Sequence, residues 1–262
     1  MKITCNGINI HVNAQGENGQ ALVFLHYWGG SSRTWKHVQS VLSPTFRTFA
    51  LDHRGWGESD APAEGYGLTE LADDAMGVIA ALGLSSYVLV GHSMGGKVAQ
   101  LIASRRPSEL AGLILIAPAP PSPMALPEAA RTAMTHAYDS RASVEATLDQ
   151  VLTARPISRE DREQVISDSL RAAAAAKHAW PMASSQQDIS KQVEHIEVPT
   201  LVVAGELDRV DPPEILRQSL LAHLPHAVME VLPGTGHLAM LEAPDAVAAA
   251  IENFCQRLPA VA

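Results

Sequence analysis

The sequence predicts an α/β protein: a mostly parallel, doubly wound sheet that carries an inserted helical lid. Short apolar runs without polar alternation, typical of strands covered on both faces, lie at Ala21–Leu25, Phe46–Leu51, Tyr87–Val90 and Leu113–Ile116. Segments with helical periodicity separate them at Leu68–Leu82, where Thr69 is a plausible N-cap, and at Met94–Arg105. Strands that alternate with helices in this way favour a parallel sheet between two layers of helices.

The two ends of the chain extend this pattern. Lys2–Val12 alternates polar and apolar residues around Asn6-Gly7, a dipeptide typical of tight hairpin turns. Two further strands are predicted near the C-terminus, at Thr200–Ala204 and Val228–Leu232. A closing amphipathic helix is predicted at about Pro244–Leu258, its apolar face formed by Val247, Ala250, Ile251 and Phe254.

The middle of the chain has a different composition. From Pro120 to about Lys191 there is no strand-like run, and five prolines between 118 and 127 are followed by helix-forming residues. These include five consecutive alanines between Arg171 and Lys177. We therefore expect residues 1–119 and 192–262 to form the core domain, with residues 120–191 inserted as a helical lid.

Composition excludes several classes of protein. The net charge of −9, with no cluster of Lys and Arg, argues against a nucleic-acid partner. No apolar run approaches the roughly 18 residues that a membrane span requires. The N-terminus lacks the apolar stretch of a signal peptide, and Cys5 and Cys255 are few and far apart, so we expect a reduced, cytoplasmic protein.

Gly91-His92-Ser93-Met94-Gly95 has the pattern G-x-S-x-G directly after a buried strand and directly before a helix. A nucleophilic serine on a sharp strand-to-helix turn needs small neighbours, because larger side chains would collide with adjacent backbone. The turn exposes the Ser93 hydroxyl, and the helix N-terminus favours developing negative charge. The five-residue pattern alone is weak, but its position between strand and helix makes Ser93 the candidate nucleophile.

A serine needs a general base within hydrogen-bonding distance. Of the eleven histidines, His237 has the most suitable setting, in the small-residue loop Pro233-Gly234-Thr235-Gly236-His237 after the last predicted strand. The base in turn needs an anion on its other ring nitrogen. Asp208 follows the Thr200–Ala204 strand, and the order Ser, Asp, His suits this architecture. Glu206 and Asp211 are nearby alternatives.

The oxyanion of an acyl-transfer intermediate requires two N–H donors. The amide of Met94 follows the nucleophile directly. The second donor is expected in the turn His26-Tyr27-Trp28-Gly29-Gly30 after the first buried strand, where Trp28 is best placed.

Together these elements resemble the α/β-hydrolases, and within them the cofactor-free haloperoxidase, esterase and lactonase branch. The resemblance is carried by 25–31 (LHYWGGS), 52–59 (DHRGWGES), 91–96 (GHSMGG), 205–208 (GELD) and 236–237 (GH). It covers the chain apart from the lid and implies an α/β-hydrolase fold with neither cofactor nor metal. Haloalkane dehalogenases share the fold but carry Asp at the nucleophile position, which Ser93 excludes. One departure is Tyr27, where the family usually has Gly, so Tyr27 either contacts substrate or alters the geometry of the donor.

The resulting hypothesis is hydrolysis of a small ester or lactone through an acyl-enzyme, by a short-chain carboxylesterase or an acyl-homoserine lactonase. A receptor built on the same fold with little or no turnover is the main alternative, and perhydrolase, haloperoxidase or C–C hydrolase activities are others. Candidate substrate contacts are Tyr27, His92, Met124, Trp180 and Met182.

Overall fold

A computed structural model describes residues 1–259, which fold around one eight-stranded sheet. The strands are β1 (Lys2–Cys5), β2 (Ile8–Gln15), β3 (Ala21–Leu25), β4 (Arg47–Leu51), β5 (Tyr87–His92), β6 (Leu110–Ile116), β7 (Thr200–Gly205) and β8 (Val228–Leu232). Their spatial order is β1-β2-β4-β3-β5-β6-β7-β8. The first two pairings, β1 with β2 and β2 with β4, are antiparallel and all others are parallel. The predicted fold class is thereby confirmed.

The N-terminal hairpin forms where it was predicted. Asn6 and Gly7 both have positive φ, 51° and 79°, as a two-residue turn with the twist of a hairpin demands. The central strands β3 and β5 are completely buried, which explains why their sequences lack polar alternation.

Eleven helices lie within residues 1–259. They are α1 (Lys36–Leu42), α2 (Leu68–Ala81), α3 (Met94–Ser104), α4 (Glu128–Met134), α5 (Arg141–Thr147), α6 (Arg159–Arg171), α7 (Ala174–Met182), α8 (Ser190–Val193), α9 (Pro213–Leu216), α10 (Ala239–Glu242) and α11 (Pro244–Gln256). Helices α1 and α11 pack together, as do α2 and α3. The four predicted apolar residues of α11 are all buried. Over this part of the chain, no helix has the length and apolarity needed to cross a membrane.

Helix α2 begins differently from the prediction. Thr69 was expected to cap it, but the N-cap is Gly67, which offers no side chain. The side chain of Gln187, distant in sequence, accepts a hydrogen bond from the Leu68 amide at 2.8 Å instead. A tertiary contact thus satisfies an amide that every helix N-terminus leaves open.

Residues 120–191, hereafter the inserted segment, contain α4 to α7, the start of α8 and no strand. The alanine run does not form a continuous helix, although alanine has the highest helix propensity. Ala172 and Ala173 are extended, with ψ of 146° and 139°, and separate α6 from α7. Ala172 is buried, and the Ala173 amide donates to the Gly55 carbonyl at 2.8 Å. Packing against the core therefore overrides the local preference.

Asp52, at the end of β4, joins three parts of the core. Its buried carboxylate accepts hydrogen bonds from the Ser32 amide, the Glu58 amide and Nδ1 of His11. Burial alone would raise its pKa, but the hydrogen bond from His11 and the nearby groups outweigh burial and lower the pKa to about 2. The charged form is therefore the one that stabilises the fold.

We expect Asp52→Asn to lower the free energy of unfolding by about 2 kcal/mol at neutral pH, from a pKa reduced to about 2. Because the unfolded chain binds the proton more tightly, this contribution is complete above about pH 5 and disappears as the pH falls from about 4 towards 2. Urea unfolding of both proteins across that range measures it. A wild-type advantage that did not shrink on acidification would contradict this role for the charge.

Candidate active site

The parallel strands place four loops at one edge of the sheet. The ends of β3, β5 and β6 are aligned, since Leu25 pairs with Gly91 and Gly91 with Leu115. The ends of β7 and β8 are likewise aligned, Gly205 pairing with Leu232. Because parallel strands end at the same edge, the loops that contain residues 26–31, 93, 206–211 and 233–237 meet there.

Ser93 lies between β5 and α3 with φ of 52° and ψ of −117°. This conformation is rare for a residue with a side chain and costs on the order of 1–3 kcal/mol. Its backbone is fixed from both sides: the Ser93 amide donates to the Ile116 carbonyl at 3.2 Å, and its carbonyl accepts from Ala119 at 3.0 Å. The surrounding sheet thus maintains the strain.

The glycines of the predicted motif are needed for close packing. A Cβ at Gly91 would lie 2.5 Å from the Gly95 carbonyl oxygen, and one at Gly95 would lie 2.5 Å from the Leu25 carbonyl oxygen. A Cβ at Gly96 would lie 2.7 Å from that of Pro118. Only glycine lets α3 begin so close to β3 and β5, in agreement with the reason given for the motif.

Ser93, His237 and Asp208 form a continuous chain of hydrogen bonds. Ser93 Oγ lies 2.9 Å from Nε2 of His237, and Nδ1 of the same ring lies 2.8 Å from Oδ2 of Asp208. A carboxylate only accepts, so the neutral imidazole carries its proton on Nδ1, leaving Nε2 to accept from the serine hydroxyl. His237 is 1% exposed and Ser93 7%.

Burial and neighbouring charges have opposite effects on the pKa values of His237 and Asp208. Burial alone would lower the pKa of His237, but the Asp208 carboxylate, with help from Asp211 and Glu242, outweighs it and raises the pKa above its usual value. Burial likewise disfavours the charged form of Asp208. There, His237 and the amides of Val210 and Asp211 prevail, and the pKa of Asp208 is lowered.

The two alternative acids have other contacts. Glu206 accepts a hydrogen bond from the Gly234 amide at 2.7 Å and so holds the loop that contains His237. Asp211 lies beside Asp208, to which its amide donates at 3.2 Å, and burial raises the pKa of its carboxyl to about 7. Of the three carboxylates, Asp208 is the one hydrogen-bonded to the imidazole.

The turn after β3, where the second oxyanion donor is predicted, is held by several hydrogen bonds. The Gly30 amide donates to the Tyr27 carbonyl at 3.1 Å, and Gly29, with φ of 108°, occupies a position that favours glycine. Nδ1 of His26 donates to the same carbonyl at 2.7 Å, while its Nε2 accepts from the His53 amide. Within residues 1–259 the amides of Trp28 and Met94 donate to no protein acceptor.

Tyr27 and His92, both candidate substrate contacts, lie beneath the hydrogen-bonded chain. Tyr27 is 2% exposed and its ring centroid lies 5.1 Å from that of His92. Nε2 of His92 donates to the His237 carbonyl at 2.9 Å, and burial holds the pKa of His92 well below its usual value. This placement favours a structural role, in which neutral His92 supports the backbone of His237.

The other three candidates belong to the inserted segment. Trp180 is buried in α7, whereas Met124 and Met182 are half-buried. The Met124 amide donates to the Ser185 carbonyl at 2.9 Å, and Met182 Sδ lies 3.9 Å from Thr132 Oγ1. These contacts are internal to the segment.

The sequence analysis missed Glu242. Its buried Oε2 accepts from the amides of Gly236, Ala154 and Arg155, at 3.1, 2.9 and 3.1 Å. It therefore joins the His237 loop to the inserted segment. The only signal in the sequence is an acidic residue within the apolar stretch 238–243 (LAMLEA), which does not identify its partners.

Lys97 was missed as well. Its side chain, 1% exposed on α3, donates to the carbonyls of Ser122 and Ser185, at 2.9 and 3.3 Å. Burial lowers its pKa to about 8. Lys97 thus fastens both ends of the inserted segment to the helix that begins after Ser93.

In residues 1–259 no three His, Cys, Asp or Glu side chains converge in the manner of metal ligands. The same residues instead place the Ser93 hydroxyl within hydrogen-bonding distance of His237.

The chain belongs to the alpha/beta hydrolase family, whose model matches residues 22–250. It is 28% identical over 258 residues to a non-heme haloperoxidase of Rhodococcus erythropolis, covering 91% of this chain and 93% of the relative. Among solved structures, Est816, described as an N-acyl homoserine lactone degrading enzyme, is 28% identical with a TM-score of 0.83, over 97% and 100% of the two chains. An esterase from Exiguobacterium antarcticum shares the fold, with a TM-score of 0.88 at 24% identity over 96% and 97%.

Two substitutions of Glu242 distinguish its role as a hydrogen-bond acceptor from the effect of its charge on His237. Glu242→Ala leaves buried amides without an acceptor, so we expect a loss of about 1–3 kcal/mol in unfolding free energy together with lower activity. Glu242→Gln retains an acceptor but removes a charge that raises the pKa of His237. The acid limb of its activity profile should therefore move to lower pH. If the acid limb of Glu242→Gln coincided with that of the wild type, this would contradict an influence of the Glu242 charge on the pKa of His237.

Proposed function

We propose that this protein is a serine hydrolase that cleaves small carboxylic esters or lactones through an acyl-enzyme. The observation that carries the proposal is the hydrogen-bonded chain from Ser93 through His237 to Asp208. In this proposal Ser93 is the nucleophile, His237 the general base and Asp208 the residue that orients it.

Acylation follows from this geometry. Ser93 Oγ attacks the substrate carbonyl carbon as Nε2 of His237 takes its proton, and buried Asp208 stabilises the resulting imidazolium. The negative charge that develops on the carbonyl oxygen is met by the amides of Trp28 and Met94, which donate to no acceptor among residues 1–259. When the tetrahedral intermediate collapses, the imidazolium returns the proton to the leaving alkoxide.

Deacylation uses the same groups. His237 removes a proton from water, the hydroxide attacks the acyl carbon, and Ser93 leaves as an alcohol after reprotonation by the imidazolium. An ester thus yields an acid and an alcohol. A lactone yields one hydroxy acid, because its leaving group remains attached to the acyl chain.

The inserted segment, residues 120–191, is proposed to act as a lid on a core formed by residues 1–119 and 192–259; the last three residues of the predicted core domain lie outside the described residues. Its contacts with Lys97, with Glu242 and with the turn after β3 support this proposal, since they join it to the helix that follows Ser93, to the His237 loop and to the turn that contains Trp28. The likeness to Est816 supports including acyl lactones among the candidate substrates.

Replacement of Ser93 tests the reaction class. We expect Ser93→Ala to reduce kcat/KM for p-nitrophenyl acetate by roughly 10⁵–10⁶-fold, as loss of a catalytic serine does in other hydrolases. A fluorophosphonate probe should label Ser93 of the wild type and not the variant, as read by peptide mass spectrometry. Undiminished turnover by the variant would exclude Ser93 as the nucleophile.

The same assay distinguishes the main alternatives. A panel of short esters and lactones, reported as kcat/KM, defines the substrate class. Labelling of Ser93 without steady turnover would favour a receptor on the hydrolase fold. The haloperoxidase relative makes perhydrolysis a second candidate, which peroxide-dependent conversion of acetate to peracetate would reveal.

The pH profile tests the roles of His237 and Asp208. Since the pKa of His237 is raised, kcat/KM should fall on acidification with a midpoint above pH 6.5. Asp208→Asn removes the largest upward influence, so the midpoint should move to lower pH while kcat falls by about 10⁴-fold. Glu214→Gln, at an exposed carboxylate on α9, is a control that should leave both unchanged. A midpoint unaffected by Asp208→Asn would contradict the assignment.

A further inference from the structure

The turn Tyr27–Gly30 is held by a series of contacts that the hydrolytic mechanism does not explain. In a trans peptide, the Tyr27 carbonyl and the Trp28 amide belong to one plane and point in opposite directions. The Tyr27 carbonyl therefore fixes the direction of the proposed oxyanion donor, and the contacts of the residues that follow fix its position. The Tyr27 carbonyl is held by the core, through His26 and Gly30.

The next two carbonyls are held by the inserted segment. Tyr138 Oη donates to the Trp28 carbonyl at 2.8 Å, and Ser169 Oγ on α6 donates to the Gly29 carbonyl at 2.8 Å. Both side chains are buried, at 1% and 0% exposure. Two of three consecutive carbonyls in the turn thus depend on residues outside the core.

The Trp28 side chain is held by the same segment. Its indole Nε1 donates to the Lys177 carbonyl at 3.0 Å, and its ring packs against Tyr138 with centroids 4.3 Å apart. A Cβ at Gly29 would lie 2.5 Å from the Tyr138 hydroxyl, so the turn and Tyr138 fit closely.

Helix α6 also holds the residues that follow the turn. The buried carboxylate of Asp168 accepts from Ser31 Oγ at 2.7 Å and from the Arg33 guanidinium. Gln164 Nε2 donates to the Arg33 carbonyl at 3.0 Å. From Trp28 to Arg33 the chain is therefore bound almost continuously by the inserted segment.

We propose that Tyr138, Asp168 and Ser169 are positioning residues that hold the backbone on the C-terminal side of the Trp28 amide and so keep that amide in place, with the result that the oxyanion site is complete only when the inserted segment is docked. This inference rests on the proposed function, in which that amide stabilises the tetrahedral intermediate. Docking of the segment then governs transition-state stabilisation as well as access to Ser93. A substrate that favours the docked state also promotes its own reaction.

Two single-group deletions test the inference. Tyr138→Phe removes one hydroxyl while keeping the ring against Trp28, and Ser169→Ala removes the other donor. Loss of a whole oxyanion donor lowers kcat by about 10²–10³-fold. Because each deletion displaces the donor without removing it, we expect kcat to fall by only roughly 3- to 30-fold. KM for p-nitrophenyl acetate should remain nearly constant, because the donor acts mainly in the transition state. The two effects should be non-additive in the double variant, since both groups hold one turn.

A second readout separates positioning from stability. A short alkylboronic acid forms a tetrahedral adduct with a reactive serine, so its inhibition constant should rise in parallel with the fall in kcat. Rates are expressed per active site titrated with fluorophosphonate, which removes any contribution from unfolded protein. Asp161→Asn is the matched control, because Asp161 lies on the same helix but binds Lys36 and His37 of α1. It should alter thermal stability without changing kcat or boronate inhibition.

The outcomes are distinct. A wild type that hydrolyses no ester or lactone would overturn the proposed function itself. An active wild type whose Tyr138→Phe and Ser169→Ala variants keep full kcat and boronate affinity per titrated site would overturn the positioning role alone. Equal losses in kcat for Asp161→Asn would do the same, since general loosening of α6 would then explain the result.

Discussion

The structure depends on the sharp turn at Ser93, where a buried strand passes directly into a helix. The turn requires a backbone conformation unfavourable for serine and a helix start packed against the carbonyls of β3. Strain on the order of 1–3 kcal/mol persists only where the surroundings leave no alternative. Here two hydrogen bonds fix the turn. The Ser93 amide donates to the Ile116 carbonyl at the end of β6, and the Ser93 carbonyl accepts from the Ala119 amide in the segment that follows β6. The sheet thus supports Ser93, the proposed nucleophile.

From this point the site is assembled by loops that share one edge of the sheet but differ in how they are held. The loop with His237 is supported from below by His92, from the side by Glu206, and from the inserted segment by contacts through Glu242. The turn with Trp28 is fixed by His26 and then by Tyr138 and Ser169. The proposed base, His237, and the proposed oxyanion donor, Trp28, are therefore both held in part by the inserted segment, although neither belongs to it.

The electrostatics of the site follow from the same burial. Taken out of water, an isolated imidazole would lose its proton easily, and an isolated carboxylate would hold one. Contact between His237 and Asp208 reverses both tendencies, so the pair favours the charged state that acyl transfer generates on the imidazole. His92, close by but without an anion, remains neutral. The pKa values of two histidines in one cluster thus shift in opposite directions, chiefly because His237 contacts Asp208.

The sequence by itself determined the features that follow from local chemistry. Buried strands are continuous apolar runs, a sharp turn needs glycine, and parallel strands bring Ser93, Asp208 and His237 to one edge. Its choice of Asp208 over Glu206 and Asp211 agrees with the hydrogen bond to His237. Packing overrides local preference at two places. The prediction of Thr69 as the cap of α2 was wrong, because Gln187 binds the first amide, and the chain is extended at Ala172 within the alanine run.

Only the tertiary structure revealed Glu242, Lys97, Tyr138 and Ser169, because their roles arise from hydrogen bonds to backbone groups distant in sequence. Backbone carbonyls and amides are common to nearly all residue types, so no sequence motif shows which side chain binds to a particular one. Tyr27 shows the same limit, since a tyrosine in a pocket and one in the core look alike in sequence. Its burial against His92 was settled by packing.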